Sequence, residues 1–170
     1  MKFFTYLVNW DAVLNNVLEI ENLFINNNIP YKIINSSSIN KDHWLNVGDV
    51  RYYRQLYKAV QDFDRSYEYM FWLAGDVSYH NWMSFLDKAN LSISTYNVYA
   101  YAPHLTSEPW HEGSSKIVNL DFDKNTIISI QTDGIAVILH RDVVDMLEKY
   151  FDFLSSKTDI TQLTSGEGIS

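Results

Sequence analysis

Apolar and polar residues alternate along the chain in blocks short enough to set out its elements. Residues 3 to 8, FFTYLV, form an apolar run of strand length, and the segment after it carries Val13, Val17, Ile20 and Phe24 at helical spacing. Asp11 stands where a helix N-cap is expected, and Asn26-Asn27-Asn28 ahead of Pro30 is a stop signal. YKIIN, residues 31 to 35, then reads as a second strand closed by small polar residues. Strand, helix and strand within 37 residues is the pattern of a parallel βαβ unit.

The pattern continues through DVRYYRQLYKAVQDF. Val50, Tyr53, Leu56, Tyr57, Val60 and Phe63 share one helical face there, and Arg51, Arg54 and Lys58 another. YMFWLAGD follows at residues 69 to 76, six mostly large apolar residues ending at Ala74-Gly75-Asp76. A run this short, bounded by glycine, reads as a buried strand, and a carboxylate at its end sits where open α/β sheets bind ligands. HNWMSFLDKA reads as a short helix, LSISTYNVYAYA and KIVNLDF as extended, and TIISIQTDGIAVILH as strand leading into the helix RDVVDMLEKYFDFL. The expectation is an α/β fold with a Rossmann-type, mostly parallel sheet flanked by helices, occupying residues 1 to 155. Residues 156 to 170 are polar and read as a tail or as the beginning of a further element.

Composition narrows the function classes. With 170 residues, 46% of them hydrophobic, the chain can build one real core. Its 12 tyrosines and 5 tryptophans exceed what that core needs, so some rings are expected to line a ligand site. The formal charge of −8 disfavours nucleic acid as a partner. There is no cysteine, hence no disulfide or thiolate metal site. No run has the length of a membrane span, and the apolar stretch after Met1 is too short for a signal segment; a cytoplasmic protein is the expectation. Neither Gly-x-Gly-x-x-Gly nor Gly-Lys-Ser/Thr occurs, which removes the usual dinucleotide and phosphate loops. A carboxylate at a strand end can instead hold Mg²⁺ or Mn²⁺ together with substrate phosphates.

In this order the residues resemble the nucleotide-sugar-binding half of a GT-A type glycosyltransferase, family 2 in particular. The first strand ends in LVNW with Asn9 and Trp10, and the second in IINSSS with Asn35-Ser36. Asn46, Gly48 and Arg54 follow around the next helix, and LAGD falls in the place of the Asp-x-Asp motif. Read as AGD, the preferred alignment, the motif has Ala74 where the first aspartate is usual and Asp76 as the last; read as DVS, it has Asp76 first and Ser78 in place of the second.

The resemblance implies a nucleotide-sugar donor bound by Asn9, Trp10, Asn35, Arg54 and Asp76. It also implies a Mn²⁺ or Mg²⁺ ion at Asp76, an acceptor of unknown identity, and Asp133 or Glu167 as the base that activates it. His104, His111 and His140 are further metal-ligand candidates, and the loop APHLTSEPWHEG is a candidate lid or packing corner. Two rival readings stand beside the transferase. One is a noncatalytic sugar- or nucleotide-binding module, favoured by the missing second aspartate. The other is a nucleotidyltransferase, which would want a Gly-rich basic loop after the first strand, where NWDAVLNN has neither glycine nor lysine.

Overall fold

Three βα crossovers build the sheet that carries everything else. The structure, a computed structural model, describes residues 1–48, 51–79, 81–102, 117–123, 126–129 and 135–157. β1 (Phe3–Asn9) leads through a 3₁₀ turn (Asp11–Val13) into α1 (Leu14–Asn26) and back to β2 (Tyr31–Asn35). The short β3 (Leu45–Asn46) precedes α2 (Tyr52–Asp62) and the fully buried β4 (Tyr69–Ala74). α3 (Trp82–Tyr96), β5 (Ala100–Tyr101), β6 (Ile117–Asp123), β7 (Thr126–Ser129), β8 (Ala136–His140) and α4 (Arg141–Lys157) complete the order.

The six-stranded sheet runs β3-β2-β1-β4-β8-β5, while β6 and β7 pair antiparallel in a second, two-stranded sheet. β1 lies between β2 and β4 and is parallel to both, and β3 extends the parallel part beyond β2. β8 runs antiparallel to β4 and to β5, so the sheet is mixed, with three parallel pairings out of five. Its two faces are covered by different helices. α1 and α3 bury Val17, Ile20, Phe24, Phe85, Leu86, Ala89 and Ile93 against Phe3, Leu7, Ile33, Phe71 and Leu73. α2 and α4 bury Leu56, Ala59, Val60, Val144 and Phe151 against Tyr6, Val8, Ile34, Met70 and Trp72. Coverage on both sides explains why β4 reads as a continuous apolar run without alternation.

Several expectations are corrected in detail. Asp11 is not the cap of α1: it opens the 3₁₀ turn, and its carboxylate accepts hydrogen bonds from Ser38 instead. The segment 91 to 96, expected to be extended, is the second half of α3. Ser92 and Ile93 continue the buried face of Ala89, and Ser94 and Thr95 donate their hydroxyls to the carbonyls of Asn90 and Leu91. Burial along one face thus outweighs the strand-like Ser/Thr/Ile composition. α4 runs on to Lys157, and residues 158–170, with most of the expected tail, lie outside the described residues. Among the described residues no helix is long and apolar enough to cross a membrane.

Candidate functional site

Register brings the ends of the three parallel strands level. Asn9 pairs with Asn35 and Val8 with Ala74, so the chain leaves β1 at Trp10, β2 at Ser36 and β4 at Gly75 along one edge. Asn9, Asn35 and Asp76, picked out from sequence, therefore converge at the carboxyl end of the sheet, where open α/β folds have their ligand crevice.

Their environments differ sharply. Asn9 and Asn35 are completely buried. Asn9 Nδ2 donates to Asn35 Oδ1 at 2.8 Å and to Ser37 Oγ at 3.1 Å. Asn35 Nδ2 donates to the Ile39 carbonyl at 2.9 Å, and Asn35 Oδ1 also accepts the Ser37 backbone N–H at 3.1 Å. The pair shapes the turn after β2 from beneath. Asp11 Oδ1 fastens the turn from outside, accepting Ser38 N and Oγ, each at 2.8 Å, and these bonds hold the Asp11 carboxyl below its ordinary pKa. Gln55, in the first turn of α2, donates Nε2 to Ser36 Oγ at 3.0 Å. That bond brings the amino end of α2, with half-buried Arg51 and Arg54, against the same edge. Half-buried Trp10, Tyr52 and Tyr53 pack on the α2 side, Tyr52 meeting Trp72 edge-on at 5.7 Å. Tyr52 reads in sequence as ordinary helix surface; only the packing of α2 shows it as a ring at this edge. Asn9 Oδ1 is buried and has no hydrogen-bond partner among the described residues.

Asp76, by contrast, is exposed on a loop of fixed shape. Gly75 is required there by close packing. A Cβ at Gly75 would collide with the Val8 carbonyl oxygen and lie 2.7 and 2.8 Å from methyl groups of Val17 and Val13. Asn16 of α1, a residue with no sequence signal of its own, donates Nδ2 to the carbonyls of Gly75 at 2.6 Å and Val77 at 3.1 Å, clamping the loop on either side of Asp76. Nor does Asp76 cap α3: that role belongs to Asn81, whose Oδ1 accepts Ser84 N at 2.9 Å. Asp76 is left exposed, with no structural duty among the described residues.

The remaining candidates separate. Asp133 and Glu167 lie outside the described residues, as do His104, His111 and Trp110. Ile135, whose carbonyl accepts Ala74 N at 2.7 Å, brings the start of β8 to the Asp76 edge. His140 ends β8 opposite Tyr69, at the first residue of β4, and so stands at the other edge of the sheet from Asp76. It cannot complete a metal site there. Among the described residues no group of three His, Asp or Glu side chains is placed to hold a metal ion.

No family model matches the sequence, and no curated protein matches it. Among solved structures, the chain is similar to the crystal structure of a glycosyltransferase involved in the glycosylation of the major capsid of PBCV-1. The two are 12% identical, with a TM-score of 0.48 over 88% of this chain and 66% of that one, so the chain spans less than two thirds of that protein's length.

Proposed function

We propose that the chain is a GT-A-like transferase that takes a sugar from a nucleotide-diphosphate donor and passes it to an acceptor hydroxyl. The observation that carries this reading is the convergence of the Asn9–Asn35 turn, the α2 amino end and exposed Asp76 at one edge of the parallel part of the sheet, in a sequence without a phosphate loop. The buried amides of Asn9 and Asn35 serve by shaping the turn that meets the nucleotide. Trp10 and Tyr52 offer aromatic surface to a base, and Arg54 offers charge to phosphate.

Asp76 faces the diphosphate end. A carboxylate and a diphosphate side by side repel, and a hard cation between them removes the repulsion. A single exposed carboxylate does not fit a resident metal; it fits Mn²⁺ or Mg²⁺ that arrives on the donor's phosphates and gains one protein ligand. A transfer with inversion needs a carboxylate that accepts the proton of the acceptor hydroxyl as the hydroxyl oxygen bonds to the anomeric carbon and the nucleoside diphosphate leaves. Asp133 and Glu167 are the proposed bases. A second reading, a noncatalytic binding module, is favoured by Ala74 standing where the motif usually has its first aspartate.

Calorimetric titration of nucleotide sugars with and without Mn²⁺ tests both. Asp76→Asn should leave the unfolding free energy within about 0.5 kcal/mol, because the side chain caps nothing, yet abolish the metal-dependent part of donor affinity. In an enzyme, Asp133→Asn or Glu167→Gln leaves donor binding intact and lowers turnover on the order of 100-fold. Donor binding without transfer or hydrolysis in the native chain selects the module. Absence of binding to every nucleotide sugar refutes the transferase and a nucleotide-binding module together.

A further inference from the structure

A groove beside the strand edge lies between α1 and the loop that leads into α3. It encloses about 390 Å³ and is lined by Asn16, Glu19 and Leu23 on one side and Tyr79, Trp82 and Met83 on the other. We propose that this groove binds the ring of a neutral saccharide.

Its chemistry excludes most other occupants. Glu19 is the one charged side chain of the described lining, so phosphates and nucleotides are repelled rather than held. The volume falls at the lower end of the roughly 300–1,000 Å³ usual for small-molecule sites and offers far less surface than a stable protein partner needs. What the walls supply is an aromatic platform beside neutral and anionic hydrogen-bond acceptors.

Tyr79 is 42% exposed, yet its ring is fixed by packing on Trp82 at 5.8 Å and on Phe85 at 5.4 Å. A ring held on one side and open on the other is preorganised to take the C–H face of a pyranose, at little cost in side-chain entropy. Facing it, the Asn16 amide is held by its two bonds to the carbonyls of Gly75 and Val77, which leaves its Oδ1 without a partner among the described residues. Asn16 Oδ1 and the exposed Glu19 carboxylate are acceptors for sugar hydroxyls, which are donors. An apolar ligand would leave both unsatisfied, and an anion would meet Glu19.

The inference stands without the donor reading, because none of the residues proposed to hold the donor lines the groove; Asn16, which clamps the Asp76 loop, is where the two adjoin. Methyl pyranosides and a glucose disaccharide are the probes, followed by tryptophan fluorescence and by saturation-transfer NMR. A saturable response in the millimolar range is expected, with saturation concentrated on the ring C–H protons. Tyr79→Ala should weaken it by about tenfold. Glu19→Gln, a change on an exposed helix surface that leaves the melting transition in place, should weaken it several-fold.

No saturable response to any of these sugars up to roughly 50 mM, or a response that both variants retain in full, overturns the proposal. Nucleotide titration of Tyr79→Ala keeps the two sites apart. Nucleotide affinity that is unchanged while sugar affinity falls supports the groove as an independent site, and parallel loss of both overturns that independence. Sugar binding in a chain that binds no nucleotide refutes the donor reading and leaves the groove standing.

Discussion

Glu21 shows how one residue can look like surface in sequence and act as an anchor in the fold. It falls on the apolar face of α1 and is almost wholly buried, accepting hydrogen bonds from Lys41 Nζ at 2.7 Å and Trp44 Nε1 at 2.9 Å, with His43 Nε2 at 2.8 Å and the Tyr31 hydroxyl at 3.3 Å. Lys41 also sits over the Trp44 ring at 4.7 Å. Together these bonds dock the connector after β2, the far side of the turn that Asn9 and Asn35 shape, onto α1. Burial pushes the Glu21 carboxyl upward, but the bonds from Lys41, Trp44 and His43 and the Lys41 charge outweigh it and hold the carboxyl below its ordinary value. A carboxyl depressed in the folded state contributes stability that is complete above its unfolded pKa, about 4.3, and is lost as pH falls through the lower folded value. Denaturant midpoints measured from pH 7 downward should therefore drop below about pH 4.3 in the native chain. Glu21→Gln should cost on the order of 1.5–3 kcal/mol at pH 7 and remove that part of the acid slope. An unchanged slope in the variant would show that other carboxylates carry the acid response. Nothing in the spacing of α1 flagged Glu21, because its partners come from a connector with no periodicity of its own.

At the scale of elements, legibility followed the kind of signal each element carries. β1, β2 and β4 were readable because a strand covered on both faces is a short apolar run bounded by polar or glycine residues, and α1 and α2 because their apolar positions recur at helical spacing. α3 was read too short, since Ser92, Ser94 and Thr95 suit a strand and only packing against Phe71 and its neighbours favours the helix. Its true end is marked by Asn97, which adopts φ 48° and ψ 49° in the left-handed region. Asparagine tolerates that region better than other non-glycine residues, and glycine tolerates it without strain. Asn97→Gly should accordingly be neutral or stabilising by a few tenths of a kcal/mol, and Asn97→Val destabilising by roughly 1–2 kcal/mol. Thermal melts of the two variants check the order, and equal losses in both would show that the side-chain amide, rather than the backbone angle, matters at this position.

Across the whole molecule, the parallel trio β2-β1-β4 was deducible because short helical crossovers leave few ways to join such strands. The direction of β8 was not. A strand buried on both faces has the same pattern whichever way it runs, and β8 is reached through a long connection without helical spacing. The site follows the same division: the edge carrying Asn9, Asn35 and Asp76 was visible in the order of elements, while the clamp from Asn16 and the groove beside Tyr79 depend on how α1 packs against the loop after β4. That architecture predicts a gradient of local stability. β1 and β4 each have a hydrogen-bonded neighbour on both sides and helices on both faces, so their amides can open only when the whole sheet does. β3 and β5, at the two edges and only two residues long, have one neighbour each among the described residues and should open alone. Native-state hydrogen exchange with increasing denaturant should show the Leu7 and Phe71 amides converging on the global unfolding free energy, and the Val47 amide, which donates to the Asn35 carbonyl at 2.8 Å, exchanging by local opening with little denaturant dependence. Val47 protection equal to that of Leu7 would mean that the connector docked by Glu21 and α2 locks β3 into the same cooperative unit. In that case Glu21→Gln, by releasing the connector, should return Val47 to local opening while leaving Leu7 at the global limit.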